Sequence, residues 1–99
     1  MKIWVLLLLT IGTINAQTLY WDSNDTAPGA GDTPNGTWDS DAFWSTDSTG
    51  GSSTTTWTDG NVAVFSAGTD ATNAFTVTIS GATTVTGITV EEGSVTNTG

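Results

Sequence analysis

The chain has 99 residues, ten acidic side chains, one cationic side chain, no cysteine and no histidine, and its formal net charge is −9. All ten carboxylates lie in residues 17–99, which contain no Lys or Arg, and this excludes nucleic acid and anionic membrane as partners because both are bound mainly through those residues. The lack of cysteine excludes disulfides and thiolate-bound metal.

Residues 1–16 are predicted to be a secretory signal peptide. Lys2 supplies a positive start, residues 3–14 an apolar run, and Ala16 a small residue at a cleavage site before Gln17. The run is shorter than the roughly 20 residues that a membrane-spanning helix needs. We therefore expect a secreted protein, or one displayed at the outer membrane or cell surface, with no membrane insertion after the signal is cleaved.

Residues 17–56 form a region rich in tryptophan and in turn-forming residues. Residues 18–22 are predicted to be a first strand, and residues 24–36 a loop, because they combine both prolines with Gly, Asn and Asp. Residues 41–56 remain turn-like apart from Phe43 and Trp44. We interpret this region as an N-terminal cap.

Residues 57–99 change to a Thr/Val alternation typical of β-strands. Asp59-Gly60 predicts a hairpin between residues 54–57 and 62–65. Residues 75–79 place Phe, Val and Ile on one face and Thr on the other, and Gly87 shifts the alternation of the next strand, as a bulge does. A third strand is predicted from Ser94. No helical periodicity occurs after the leader, so the mature chain is predicted to be all-β.

Short strands at this spacing fit a solenoid, a small β-sandwich or a barrel equally well. The residues alone leave this choice open. Residues 57–99 are read as one β-strand repeat unit of an incomplete solenoid, with the small β-sandwich as the alternative.

Residues 36–99 resemble the autotransporter-associated β-strand repeat of large exported bacterial proteins. The resemblance is carried by a Trp-rich lead-in, a Trp-x-x-Gly-x-x-Ala-x-Phe element, a Thr/Val strand, a glycine and a Gly-Ile-Thr strand. These elements are Trp38, Trp44, Trp57-Thr58-Asp59-Gly60-Asn61-Val62-Ala63-Val64-Phe65, Phe75-Thr76-Val77-Thr78-Ile79, Gly81 and Val85-Thr86-Gly87-Ile88-Thr89-Val90.

The resemblance implies a right-handed parallel β-helix that is exported as an autotransporter-like passenger or adhesin stalk. It also implies that the partners of this chain are further β-repeats of the same polypeptide, together with surface glycans or other cell-surface molecules. Only one repeat unit is recognisable here, and no membrane barrel or sorting segment accompanies it.

The residue types predict neither catalysis nor a cofactor. A Ser or Thr nucleophile needs a base, and the mature chain has no His or Lys to serve as one. Glu91 and Glu92 are adjacent and point to opposite faces of a strand, so they do not form the converging pair that glycoside hydrolysis needs. We expect a non-enzymatic protein.

Two groups of aspartates supply oxygen atoms of the kind that calcium prefers. They are Asp22, Asp25 and Asp32, and Asp39, Asp41 and Asp47. Neither group matches the twelve-residue calcium loop or the glycine-rich calcium-binding nonapeptide. Aspartate in turns more often accepts hydrogen bonds from nearby backbone N–H groups, so no metal site is predicted.

Four tryptophans are the candidate functional side chains. They are Trp21, Trp38, Trp44 and Trp57. Packed together, they would seal the hydrophobic end of a stack of strands. Exposed in a row, they would stack on sugar rings, as in a secreted carbohydrate-binding module. We favour the sealing role because large apolar side chains are usually buried.

Overall fold

The computed structural model describes residues 16–99, which form seven strands and no helix. The strands are β1 (Thr18–Trp21), β2 (Gly36–Thr37), β3 (Trp44–Ser45), β4 (Asn61–Phe65), β5 (Ala74–Thr78), β6 (Val85–Val90) and β7 (Ser94–Thr98). The predicted all-β class is confirmed. The leader prediction concerns residues 1–16 and lies, apart from Ala16, outside the described residues.

The strands form two small sheets. The four-stranded sheet has the order β3-β1-β4-β6, and the three-stranded sheet has the order β2-β5-β7. All neighbours are parallel except β1 and β3, which are antiparallel. After β3, the chain alternates between the sheets. β4 pairs with β1 rather than with β3, whereas β5, β6 and β7 each pair with the preceding strand of their own sheet.

Parallel pairing places equivalent side chains one above another. Leu19 pairs with Ala63, and Ala63 pairs with Ile88. In the second sheet, Phe75 pairs with Val95. Because side chains alternate between the two faces of a strand, these columns point to the same side of their sheet.

The core lies between the sheets and is mainly aromatic. Its buried members are Leu19, Trp21, Trp38, Trp44, Ala63, Phe65, Ala71, Phe75 and Val77. The tryptophan rings come from β1, β3 and a segment outside the strands, whereas β4 and β5 contribute the inward-facing residues of their alternation, Phe65 and Phe75 among them. Both parts of the sequence therefore build one core.

The alternation predicted for residues 75–79 is confirmed, since Phe75 and Val77 are buried while Thr76 and Thr78 are exposed. The bulge predicted near Gly87 is also present. Val62 pairs with Gly87 although Asn61 pairs with Val85, so Thr86 is the additional residue. The hydroxyl of Thr86 donates to the carbonyl of Gly60, which gives this extra residue a partner in the residue that precedes β4.

The predicted hairpin across Asp59-Gly60 is wrong. β4 pairs in parallel with β1 and β6, and residues 54–57 form only an isolated antiparallel bridge, between Thr55 and Trp44. The Asp59 carboxylate accepts hydrogen bonds from the Thr84 N–H (3.1 Å) and the Trp57 indole (3.0 Å). The turn is therefore bound to the segment before β6, a later part of the chain, and does not connect two adjacent antiparallel strands.

The region interpreted as a cap contributes strands as well as loops. β1 and β2 lie within residues 17–56, and they pair with β4 and β5 respectively. The N-terminal region is thus continuous with the sheets of residues 57–99.

Candidate functional site

Trp44 lies at the centre of an aromatic cluster that fills one end of the core. Its ring centroid is 5.0 Å from that of Trp21, 5.0 Å from that of Trp38 and 4.7 Å from that of Trp57. Phe65, from β4, lies 5.5 Å from Trp44. The rings meet edge-to-face or at a tilt, which are the favourable arrangements for aromatic pairs.

The indole N–H groups connect this cluster to the loops. Trp21 donates to the carbonyl of Pro34 (2.6 Å), Trp44 to the carbonyl of Trp38 (2.9 Å), and Trp57 to the carboxylate of Asp59 (3.0 Å). The buried indole N–H of Trp38 has no partner. The bond from Trp21 therefore links the loop of residues 24–36 to the cluster.

Three of the four candidate stacking residues are withdrawn from solvent. Trp21, Trp38 and Trp44 have at most 1 % of their surface exposed, and only Trp57 is half-buried. Sugar stacking needs an accessible ring face, so this arrangement favours the sealing role over a platform built from all four residues.

The aspartates act mainly as acceptors for backbone N–H groups. Asp39 binds Ser80, Asp47 binds Thr49, and Asp70 binds the consecutive N–H groups of Ala30 and Gly31. Within residues 16–99, no group of three carboxylates is arranged to hold a metal ion. Among these bonds, only that between Asp47 and Thr49 is of the local turn type that was expected, whereas Asp39 and Asp70 accept hydrogen bonds from segments distant in sequence.

These hydrogen bonds lower the pKa of two half-buried carboxyls, those of Asp39 and Asp47. The backbone N–H of Ser80 is the main cause for Asp39, and the hydroxyl and N–H of Thr49 lower the pKa of Asp47 to about 2. A carboxyl whose pKa is lower in the folded state stabilises the fold above its ordinary pKa. That contribution is lost as the pH falls toward the folded value.

We therefore expect the midpoint of urea unfolding to fall as the pH is lowered from 4 to 2, because Asp47 becomes protonated and loses its charged hydrogen bonds. Asp47→Asn removes this titration and should make the decline shallower. The exposed Glu91, placed at the end of β6, supplies a matched control as Glu91→Gln. An unchanged decline in Asp47→Asn would contradict this assignment.

Four separate segments meet at an open surface cavity of about 600 Å³. Its lining residues are Pro28, Gly29, Ser48, Thr49, Gly68, Thr69, Asp70 and Glu91. The lining offers the hydroxyl oxygens of Ser and Thr and the carboxylate oxygens of Asp70 and Glu91. Sequence reasoning did not find this cavity, because its walls are brought together only by the long connections between strands.

Each sheet ends, on the side of the later strands, in a strand whose outer edge has no neighbouring strand within residues 16–99. β6 is the last strand of the four-stranded sheet, and β7 is the last strand of the three-stranded sheet. Ile88 and Val90 of β6 continue the columns of the buried Ala63 and Phe65, yet 52 % and 48 % of their surfaces are exposed. We call the edges of β6 and β7, with these half-exposed side chains, the open end.

Comparison with known proteins returns no family model, curated protein or solved structure that matches this chain. Within residues 16–99, no helical segment has the length and apolar character of a membrane span.

Proposed function

We propose that this chain is the N-terminal part of an exported bacterial β-solenoid, with a structural rather than catalytic role. Its partners would be further β-repeats of the same polypeptide, and the whole would serve as an autotransporter-like passenger or adhesin stalk at the cell surface. The alternation of the chain between two sheets supports this proposal, because coils of a solenoid add strands in that order. The family resemblance of residues 36–99 points to the same architecture.

The open end is the observation that carries the proposal. Ile88 and Val90 occupy positions whose equivalents in β4 are fully buried, so they present an inward-facing surface with no layer above it. In repeat proteins, each unit buries its apolar face only when a neighbour is stacked on it. A further coil on β6 and β7 would complete this burial.

The edges of β6 and β7 also lack the features that protect a free edge. Their sequences, Val85–Val90 and Ser94–Thr98, contain no charged residue and no proline. Natural edge strands usually carry such residues because unpaired backbone groups recruit other strands. The absence of protection is what we expect of strands that are covered in the full-length protein.

The other end of the four-stranded sheet is closed. β3 pairs antiparallel with β1, so its direction does not continue the parallel series. The aromatic cluster packs beneath this strand pair, with Trp21 on β1 and Trp44 on β3. These features support a cap that stops the stack at the N-terminal side, as terminal units of repeat proteins do.

The proposal is tested by adding one coil. Thr78 and Thr98 are paired neighbours 20 residues apart, so repeating residues 80–99 after Gly99 keeps the offset of the three-stranded sheet. We expect the copy to cover β6 and β7, to bury Ile88 and Val90, and to stabilise the chain by about 1 kcal/mol. Scanning calorimetry should show the melting temperature rising by roughly 5 °C in a single transition.

The matched control carries the same addition with Ile88→Ser and Val90→Ser in the added copy only. It has equal length but cannot extend the apolar columns, so its melting temperature should remain near that of the parent. Equal melting temperatures for all three proteins would contradict stacking at the open end. Reading the coding sequence beyond Gly99 gives an independent test, since the proposal requires recurring Thr/Val–Gly–Ile-Thr units there and a stop codon would overturn it.

A further inference from the structure

Asp22 is a buried carboxyl group at the point where β1 leaves its sheet. None of its surface is exposed, and its backbone N–H donates to the carbonyl of Phe43 (2.7 Å). It follows Trp21, which belongs to the aromatic cluster. The side chain therefore lies between the core and the loop of residues 22–31.

Only one oxygen of this carboxyl group has hydrogen-bond partners. Oδ1 accepts the backbone N–H of Asn24 (3.0 Å), and with the Asn24 amide turned so that its donors meet acceptors, Nδ2 reaches the same oxygen (2.6 Å) and the carbonyl of Gly29 (2.6 Å). Oδ2 is buried without a partner. A carboxylate at this position lacks the complete set of donors that a buried charge requires.

The surrounding charges make ionisation still less favourable. Asp25 from the same loop, Asp47 from the β3–β4 connection and Asp70 from the β4–β5 connection all act on Asp22 with the same sign. Residues 16–99 contain no Lys, Arg or His to offset them. Burial, with a smaller contribution from these three carboxylates, raises the pKa of Asp22 to about 6.

The loop that Asp22 begins holds several distant segments together. The N–H of Gly29 donates to the carbonyl of Thr49 (2.8 Å), and the N–H of Ala30 donates to the carboxylate of Asp70 (2.8 Å). The N–H of Ser23 closes the loop on the carbonyl of Ala30 (3.1 Å). Displacing Asp22 would loosen the wall of the cavity between these segments.

We propose that Asp22 is a proton-operated latch, which holds the loop of residues 22–31 against the aromatic cluster when it is neutral and releases that loop when it is ionised. The ionised carboxylate gains hydration only by leaving its buried position. The loop and the cavity beside it would thus be closed in acidic surroundings and more open at neutral pH. This proposal is independent of the solenoid function.

The linkage between protonation and folding gives the direction in which pH changes the stability of the closed loop. The pKa of Asp22 is raised in the folded state, so its stabilising effect is complete below its ordinary pKa of 3.8 and is lost as the pH rises toward about 6. If the opened loop gives Asp22 its ordinary pKa, the opening equilibrium should increase about tenfold between pH 5 and pH 7.5.

Hydrogen exchange of the full chain, corrected for the intrinsic pH dependence of exchange, tests the latch. We expect the protection of the Ser23 and Gly29 amides to fall about tenfold from pH 5 to pH 7.5, and to be nearly independent of pH in Asp22→Asn. Asp25→Asn is the matched control, because this exposed carboxyl lies three residues away and should leave the pH dependence of protection in place.

A carbon-13 titration of the Asp22 carboxyl in the unsubstituted chain provides a readout that does not depend on any variant folding. A midpoint well above the ordinary value together with the loss of protection supports the latch. An ordinary midpoint overturns it. A raised midpoint with unchanged protection also overturns it, as does a pH dependence that persists in Asp22→Asn.

Discussion

Replacing Trp44 with alanine should destabilise this protein more than any other single truncation of an aromatic side chain. Trp44 is fully buried and its ring touches those of Trp21, Trp38, Trp57 and Phe65. Truncation removes these contacts, leaves a cavity and deprives the carbonyl of Trp38 of its indole donor. Losses of about 3–5 kcal/mol are typical for such substitutions.

A loss of that size is comparable with the whole stability of a small domain, so Trp44→Ala should be largely unfolded at 25 °C. Urea unfolding followed by circular dichroism measures the effect without relying on tryptophan emission. Trp57→Ala is the matched control, because Trp57 belongs to the same cluster but is half-buried, and its loss should be about 1–2 kcal/mol. Equal effects of the two substitutions would show that the cluster is not centred on Trp44.

Replacing Gly50 with alanine should be the second large effect, and it acts through the backbone. Gly50 has a φ of +78°, and a Cβ at this position would lie 2.4 Å from the carbonyl oxygen of Gly29. The alanine variant would be strained in its left-handed conformation, which costs about 1–2 kcal/mol, and would also push two loops apart. We expect a total loss of about 3 kcal/mol or more.

Gly60→Ala separates these two contributions. Gly60 has a φ of +87° but no atom within 4 Å of the added Cβ, so only the conformational strain applies and the loss should be about 1 kcal/mol. Chemical denaturation of both variants gives the comparison. If Gly60→Ala were as destabilising as Gly50→Ala, the close approach of the two loops would not be the cause.

Local patterns predicted the strands of the second half of the chain well. The alternation of residues 75–79 and the phase shift at Gly87 depend on neighbouring side chains and on pairing with one adjacent strand. Such features are readable because the period of a strand is set by its own backbone. The aromatic side chains were likewise expected to pack together, and burial of Trp21, Trp38 and Trp44 agrees with their apolar surface.

The predicted hairpin is absent because the residue pattern of a turn does not specify which strands pair with the segments on either side of it. Asp59-Gly60 has the composition of a tight turn, yet the Asp59 carboxylate and the N–H of Gly60 are bound to Thr84.

The role proposed for Asp22 as a proton-operated latch could not be predicted from the sequence either. Asp22 is one of ten carboxylates in the chain. What distinguishes it is that its Oδ2 atom is buried without a hydrogen-bond donor, which only the tertiary structure reveals.

Composition and periodicity by themselves determined that this is an acidic, cysteine-free, all-β chain whose strands alternate Thr with Val, Ile or Phe. These properties follow from residue type and from the two-residue period of extended backbone. The tertiary structure alone decided that most strands pair in parallel, that four segments meet at an open cavity, and that β6 and β7 are left uncovered. Those outcomes depend on contacts between residues such as Ala63 and Ile88 or Gly29 and Gly50, which are distant in sequence and carry no local signal of their pairing.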